Sequence, residues 1–164
     1  MSGAPCPAPS VHLAVPSYAG TMTTVADTDA IVERILTTYD TITVVGASAS
    51  AHKPAHTVPA LMQRLGWRIV PVNPTAETIL GETAYPTLAD VPEPVGFVDV
   101  FRPSAATPDI ARQAVAAGAT ALWLQLDIAS AEARRIAEDA GLLYVEDRCL
   151  AIEIRRLGLT GPTR

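Results

Sequence analysis

The sequence predicts an α/β three-layer sandwich, one five-stranded, mainly parallel sheet with helices on both faces. Three observations carry this. Short apolar runs alternate with stretches of helical periodicity along most of the chain, the order that builds βαβ units. The runs are apolar throughout rather than alternating with polar residues, as strands covered on both faces require. Gly, Pro or Asn then closes one element after another.

The first helix is read from Ile31, Val32, Ile35, Leu36 and Tyr39, with Asp27, Thr28 and Asp29 as cap candidates. Ile42-Thr43-Val44-Val45 is a β-branched run closed by Gly46, hence a buried strand. Val58, Leu61, Met62 and Leu65 fall on one face of a second helix that ends at Gly66. Pro59 is expected in its first turn, where a missing N–H leaves no bond unmade. That places the helix start no earlier than about 55–58 and leaves a long loop after Gly46. Arg68-Ile69-Val70-Pro71-Val72 is the second strand, broken by Asn73-Pro74. Residues 75–94 read as irregular, with a short turn near Leu88.

The third strand covers 95–101. Thr107 is expected to cap the next helix, with Pro108 at its first position, Asp109 near its positive end and Gly118 past its last turn. Ala121-Leu122-Trp123-Leu124 is the fourth strand, with Trp123 read as core. Ser130 caps a helix through Ala133, Ile136, Ala137 and Ala140 that stops at Gly141. Leu142-Leu143-Tyr144-Val145 is the fifth strand, and 149–157 the last helix. The pattern is Rossmann-like, with right-handed crossovers and ligands at the carboxyl edge of the strands.

At 164 residues the chain suits one domain, expected over 27–157 between tails at 1–26 and 158–164. The first stretch carries Pro5, Pro7, Pro9 and Pro16 and no Lys or Arg, unlike a secretory signal. It is expected to be disordered or loosely docked, and Met22 is a candidate alternative start. Apolar residues make up 49% of the chain, yet no uninterrupted apolar run of about 18 occurs, so no membrane span is expected. Twelve basic against seventeen acidic side chains give a net charge of -5 without a basic stripe, which argues against nucleic acid. Cys6 and Cys149 form neither a disulfide framework nor a metal-ligand spacing, so a reduced, cytoplasmic setting is expected.

The residues that follow the strand ends are Gly46-Ala47-Ser48, Asn73-Pro74, Arg102-Pro103-Ser104, Gln125 and Asp147-Arg148. Gly46 permits a tight turn, Ser48 and Ser50 supply hydroxyls, and helix-start N–H groups lie ahead. Such a loop attracts phosphate, and Lys53 and Arg102 add positive charge. Taken alone, Gly46 fits a plain chain turn equally well, and Lys53 an ordinary surface lysine. The dinucleotide pattern G-x-G-x-x-G is absent, because no glycine lies between Gly46 and Gly66. Asn73 stands where an NAD site places an acid for the ribose hydroxyls, so NAD is disfavoured.

Several motifs occur in order: Val44-Val45-Gly46-Ala47-Ser48, Val70-Pro71-Val72-Asn73-Pro74, Gly81 with Tyr85-Pro86-Thr87-Leu88, Val98-Asp99-Val100-Phe101-Arg102, Leu122-Trp123-Leu124-Gln125 and Asp147-Arg148-Cys149. This set resembles the small stand-alone CoA-binding proteins, which are similar to the CoA-binding domain of the succinyl-CoA synthetase α subunit. The resemblance covers roughly 42–157. It implies coenzyme A or an acyl-CoA as ligand. By it, Gly46, Ala47, Ser48 and Lys53 hold the phosphates, and Val72, Asn73 and Pro74 border the adenosine end. Val100, Phe101 and Arg102 line the next strand end, with Gln125 beside them. Ala55 stands where these proteins often have a serine, and Pro59 is unusual so near the helix start.

Synthetase chemistry needs a phosphorylatable histidine in a second domain, and His12, His52 and His56 do not replace it. Spacing assembles neither a nucleophile–base–orienter set nor a metal cluster. The expectation is therefore a CoA-binding protein without catalysis of its own, its protein partners unspecified. The alternatives are a nicotinamide- or flavin-dependent enzyme on the same scaffold, or a regulatory protein-interaction module.

Overall fold

The computed structural model describes residues 24–163. Among them, α1 (Val25–Thr38) leads into β1 (Thr41–Val45), then α2 (Pro54–Arg64) and β2 (Arg68–Val72). A small hairpin, β3 (Thr78–Ile79) and β4 (Glu82–Thr83), precedes β5 (Phe97–Val100). Then follow α3 (Thr107–Ala116), β6 (Ala121–Leu124), α4 (Ala131–Asp139), β7 (Leu143–Val145) and α5 (Leu150–Leu157). The main sheet has the order β2-β1-β5-β6-β7, and every pair in it is parallel. The fold is the predicted Rossmann-like sandwich. No described helix is long and apolar enough to cross a membrane.

Apart from Thr43 and Asp99, the buried strand residues are apolar on both sides of the sheet because both sides are covered. Ile42, Val44, Ile69, Phe97, Ala121, Trp123 and Val145 meet α1, α2 and α5. Val72, Val98, Val100, Leu122, Leu124 and Tyr144 meet α3 and α4, whose Ala111, Ala114, Ala133 and Ala137 let the two helices approach closely. Trp123 is fully buried, as expected of core, and its indole N–H donates to Arg148 O at 2.6 Å. Without that acceptor the buried donor would be destabilising. Glu153 is buried in α5, where Arg148 and Arg156 both bind it and also reach Asp29 of α1.

Several local expectations are corrected. The cap of α1 is Thr24, in a capping box with Asp27, so the helix starts at Val25 rather than near Asp27. The expected 1–26 tail otherwise lies outside the described residues. At α3, Thr107 does not cap. A 3-10 turn (Ser104–Ala106) already carries the chain into helical dihedrals, and the Thr107 hydroxyl donates to Ser104 O at 2.7 Å. Ser130 does cap α4, accepting from Ala133 N at 3.1 Å. The region expected to be irregular holds the β3–β4 hairpin. Its two turn residues, Leu80 and Gly81, have φ of 56° and 75°, the left-handed pair that a tight hairpin requires. At the far end, Thr163 donates its hydroxyl to Thr37 O at 3.0 Å, so the last described residues lie against α1.

The largest correction concerns α2. It begins at Pro54, so Pro59 is internal and not in the first turn. A proline inside a helix removes the bond to the carbonyl four residues back, at a cost of ~3 kcal/mol. Here that carbonyl is Ala55 O, and it accepts instead from Ser48 N at 3.1 Å. The helix keeps its proline because the loop before it supplies the missing donor.

Leu122, fully buried in β6, tests how firmly this frame is packed. Leu122→Ala should lower the unfolding free energy by about 2–5 kcal/mol. Urea denaturation should show a lower midpoint at unchanged slope.

Candidate phosphate-loop site

The chain leaves β1 for β2 on one side and returns to β5 on the other, so the topological switch lies between β1 and β5. Gly46 occupies that point. Its φ is +83°, and a Cβ there would stand 2.7 Å from Phe101 O and 2.9 Å from Arg102 Cδ. Both conformation and contact therefore demand glycine. Gly46 N donates to Val72 O and Phe101 N to Val45 O, which extends each ladder one residue past its strand.

The loop from Gly46 to Lys53 is held by its neighbours. Asn73 Nδ2 donates to Ala47 O at 2.9 Å. Ser48 N donates to Ala55 O, as described, and His56 Nδ1 donates to Ser48 O at 2.7 Å. Ser50 N donates to Ser48 Oγ, and Lys53 N to Ser50 O. Among the described residues, the backbone N–H groups of Ala49, Ala51, His52 and Ala55 have no protein acceptor. They share the positive end of α2 with the exposed Lys53, its N-cap. Four free donors, a helix terminus and a cation are groups of the kind that attract an anion.

A cavity opens on each side of the sheet edge. One, of about 370 Å³, lies on the α3 side between Val45, Gly46, Val72, Pro74, Leu88 and Arg102. The other, of about 450 Å³, lies on the α2 and α5 side and includes Lys53, Phe101, Gln125 and Cys149. Phe101 and Arg102 part to opposite cavities because successive residues of an extended chain face opposite ways.

Not every expected residue presents its side chain here. Val100 is fully buried beneath the edge and lines neither cavity; its carbonyl accepts from Gln125 N. The Asn73 side chain is occupied internally, with Oδ1 accepting from Thr75 N and Ala76 N while Nδ2 holds Ala47. Asn73 therefore organises the loop. Arg148 turns away to Asp29 and Glu153. Several lining residues went unpredicted. Pro86, Thr87, Asp109 and Gln113 join the first cavity and Val58, Leu126 and Ile128 the second. Val58, Asp109 and Gln113 lay in predicted helices and Pro86 and Thr87 in a quoted motif, whereas Leu126 and Ile128 had no signal.

Asp99 was quoted in a motif without a role. It is fully buried, its Oδ1 accepts from Gln125 Nε2 at 2.8 Å, and its Oδ2 has no partner. Gln125 Oε1 in turn accepts from Leu150 N at the start of α5. Burial pushes the Asp99 carboxyl up to about 7, against the opposing hydrogen bonds from Gln125 and Val100.

A glycine-turned loop at the switch point of an all-parallel sheet is the arrangement of the Rossmann class. The chain matches the model of the CoA binding domain over residues 40–155 and belongs to that family. It is 32% identical to the uncharacterized protein YneT of Bacillus subtilis over 74% of this chain and 90% of that protein. A solved structure from Thermus thermophilus is 38% identical, with a TM-score of 0.74 over 79% of this chain and 98% of that one. The ADP-forming acetate–CoA ligase II of Archaeoglobus fulgidus is 31% identical over 71 residues, 42% of this chain and 10% of the ligase.

Asp99 gives a pH test. The folded state keeps its proton up to about pH 7, whereas the ordinary carboxyl value is 3.8. Folding takes up a proton between those values, so stability falls as pH rises through the window, by up to roughly 1.4 kcal/mol per unit, and levels off above it. Asp99→Asn should abolish this component. Urea unfolding of both proteins at pH 5 and pH 8 should show the variant gaining on the wild type at the higher pH.

Proposed function

We propose that this chain binds coenzyme A or an acyl-CoA at the sheet edge and performs no catalysis on it. The observation that carries the reading is the set of free N–H groups at Ala49, Ala51, His52 and Ala55 beside Lys53, between two cavities. A ligand with phosphates at its centre and an arm on either side suits that arrangement. The diphosphate takes the loop, and the adenosine end takes the cavity of Val72, Pro74 and Leu88, with Arg102 as its cation. The pantetheine arm leaves past Lys53 toward Phe101 and Gln125. Membership of the CoA binding domain family supports this, as does the likeness to part of a CoA ligase.

The binding-only reading rests on how the acid–base groups are employed. His56 is engaged in clamping the loop, and Asp99 lies buried below Gln125. The free thiol of Cys149 accords with a cytoplasmic setting.

Thermal unfolding of the full chain with CoA, ADP, NAD and FAD tests the proposal. A ligand at a hundredfold excess over Kd adds about 2.7 kcal/mol, which raises Tm by roughly 5–10 °C. CoA should give such a shift. Arg102→Ala should reduce it at little change in the unliganded Tm, whereas Asn73→Ala should lower both, because it frees the loop. A silent CoA with a clear NAD or FAD shift would favour a redox enzyme and overturn the reading.

A further inference from the structure

The cavity on the α2 and α5 side begins where the anion loop ends. Lys53 and Pro54 stand at its mouth, and Ala55 presents its free N–H to the loop and its side chain to the cavity. Beyond them the walls are Val58, Phe101, Leu126 and Ile128. Leu126 is 52% exposed, a large apolar side chain left uncovered on the loop after β6. Of the polar wall residues, Gln125 already binds Asp99 through Nε2 and Leu150 N through Oε1, and Asp127 is an exposed acid beside Leu126. Cys149 completes the wall as a small, weakly polar group.

This composition sets what fits. Beyond Lys53 the walls offer few partners for an amide and no cation for a carboxylate, which Asp127 would also repel, and burying either group without a partner is unfavourable. Hydrocarbon has the opposite preference, and it would cover the exposed face of Leu126. The amides of a pantetheine arm therefore stay near the mouth, and what enters beyond them is apolar. We infer that this cavity is an acyl chamber, so that the preferred ligand is a CoA thioester carrying a short, uncharged acyl group rather than free CoA. The inference rests on the CoA reading above and adds the identity of the group on the sulfur. The volume of about 450 Å³ limits that group to a few carbons once the arm's end is inside.

Calorimetric titration of the full chain with CoA, acetyl-CoA, butyryl-CoA and succinyl-CoA tests it. Butyryl-CoA should bind about tenfold more tightly than acetyl-CoA, from two further buried methylenes, and acetyl-CoA more tightly than CoA. Succinyl-CoA, of similar length but charged, should bind no more tightly than CoA. Leu126→Asp, at a half-exposed position, should bring the butyryl-to-CoA affinity ratio close to one. Ala55→Leu, which fills the chamber near its mouth, should do the same by volume. Equal affinity for CoA and butyryl-CoA, or succinyl-CoA matching butyryl-CoA, would overturn the chamber and leave the CoA reading standing. Silence of all four ligands would overturn both.

Discussion

The hydrogen bond from Ser48 N to Ala55 O ties the loop after β1 to the helix that follows it. Pro59 makes it possible by leaving that carbonyl without an intrahelical donor. With His56 on Ser48 O and Asn73 on Ala47 O, the loop is fixed at three backbone positions before any ligand arrives. The N–H groups not used in this fixing are those of Ala49, Ala51, His52 and Ala55, and the α2 terminus and Lys53 add to their field. A site whose donors are already oriented loses less entropy on binding than a mobile loop does. The proline that weakens the helix thus helps to shape the loop.

Beneath the edge, Gly46 holds β1 against the end of β5, with no room for a Cβ beside Phe101 O. The same strand carries Asp99, which joins β5 to Gln125 and, through it, to the start of α5. Nearby, Asp127 and Asp147 adopt φ of 65° and 54°, and Asp147 Oδ1 accepts from Asp127 N. Left-handed backbone of this kind is tolerated where surrounding bonds enforce it. Asp127 lines the second cavity, so the loop after β6 that bounds it is tied by this bond to the loop after β7. The buried carboxyl with an unpartnered oxygen is the least favourable polar feature of this core, and it lies directly under the proposed site.

Much of the fold was legible because it follows from local patterns. Short apolar runs marked the five strands, and Gly66, Gly118 and Gly141 marked helix ends that the structure places with positive φ. Ser130 as a cap followed from residue type alone. Two of the differences have a common cause, since each depended on a contact outside the local stretch. Pro59 read as a first-turn proline because nothing local shows that Ser48 would serve Ala55 O. Asn73 read as a ligand contact because its engagement with Ala47 is a tertiary fact. The Leu80-Gly81 turn joins strands of two residues each, too short for any alternation to register. Of the residues that line the two cavities, Gly46, Pro74, Arg102 and Gln125 were readable from strand ends, whereas Leu126 and Ile128 belong to a loop whose path only packing determines.

Amide-resolved NMR of the labelled protein during CoA titration shows whether the loop after β1 holds the phosphates. The preformed loop predicts that the resonances of Ala49, Ala51, His52 and Ala55 move most, while the Ser48 amide stays protected from exchange throughout. If CoA binds while those four resonances stay still and others, such as those of the exposed faces of α3 and α4, respond, the loop is not the phosphate site and the account is wrong.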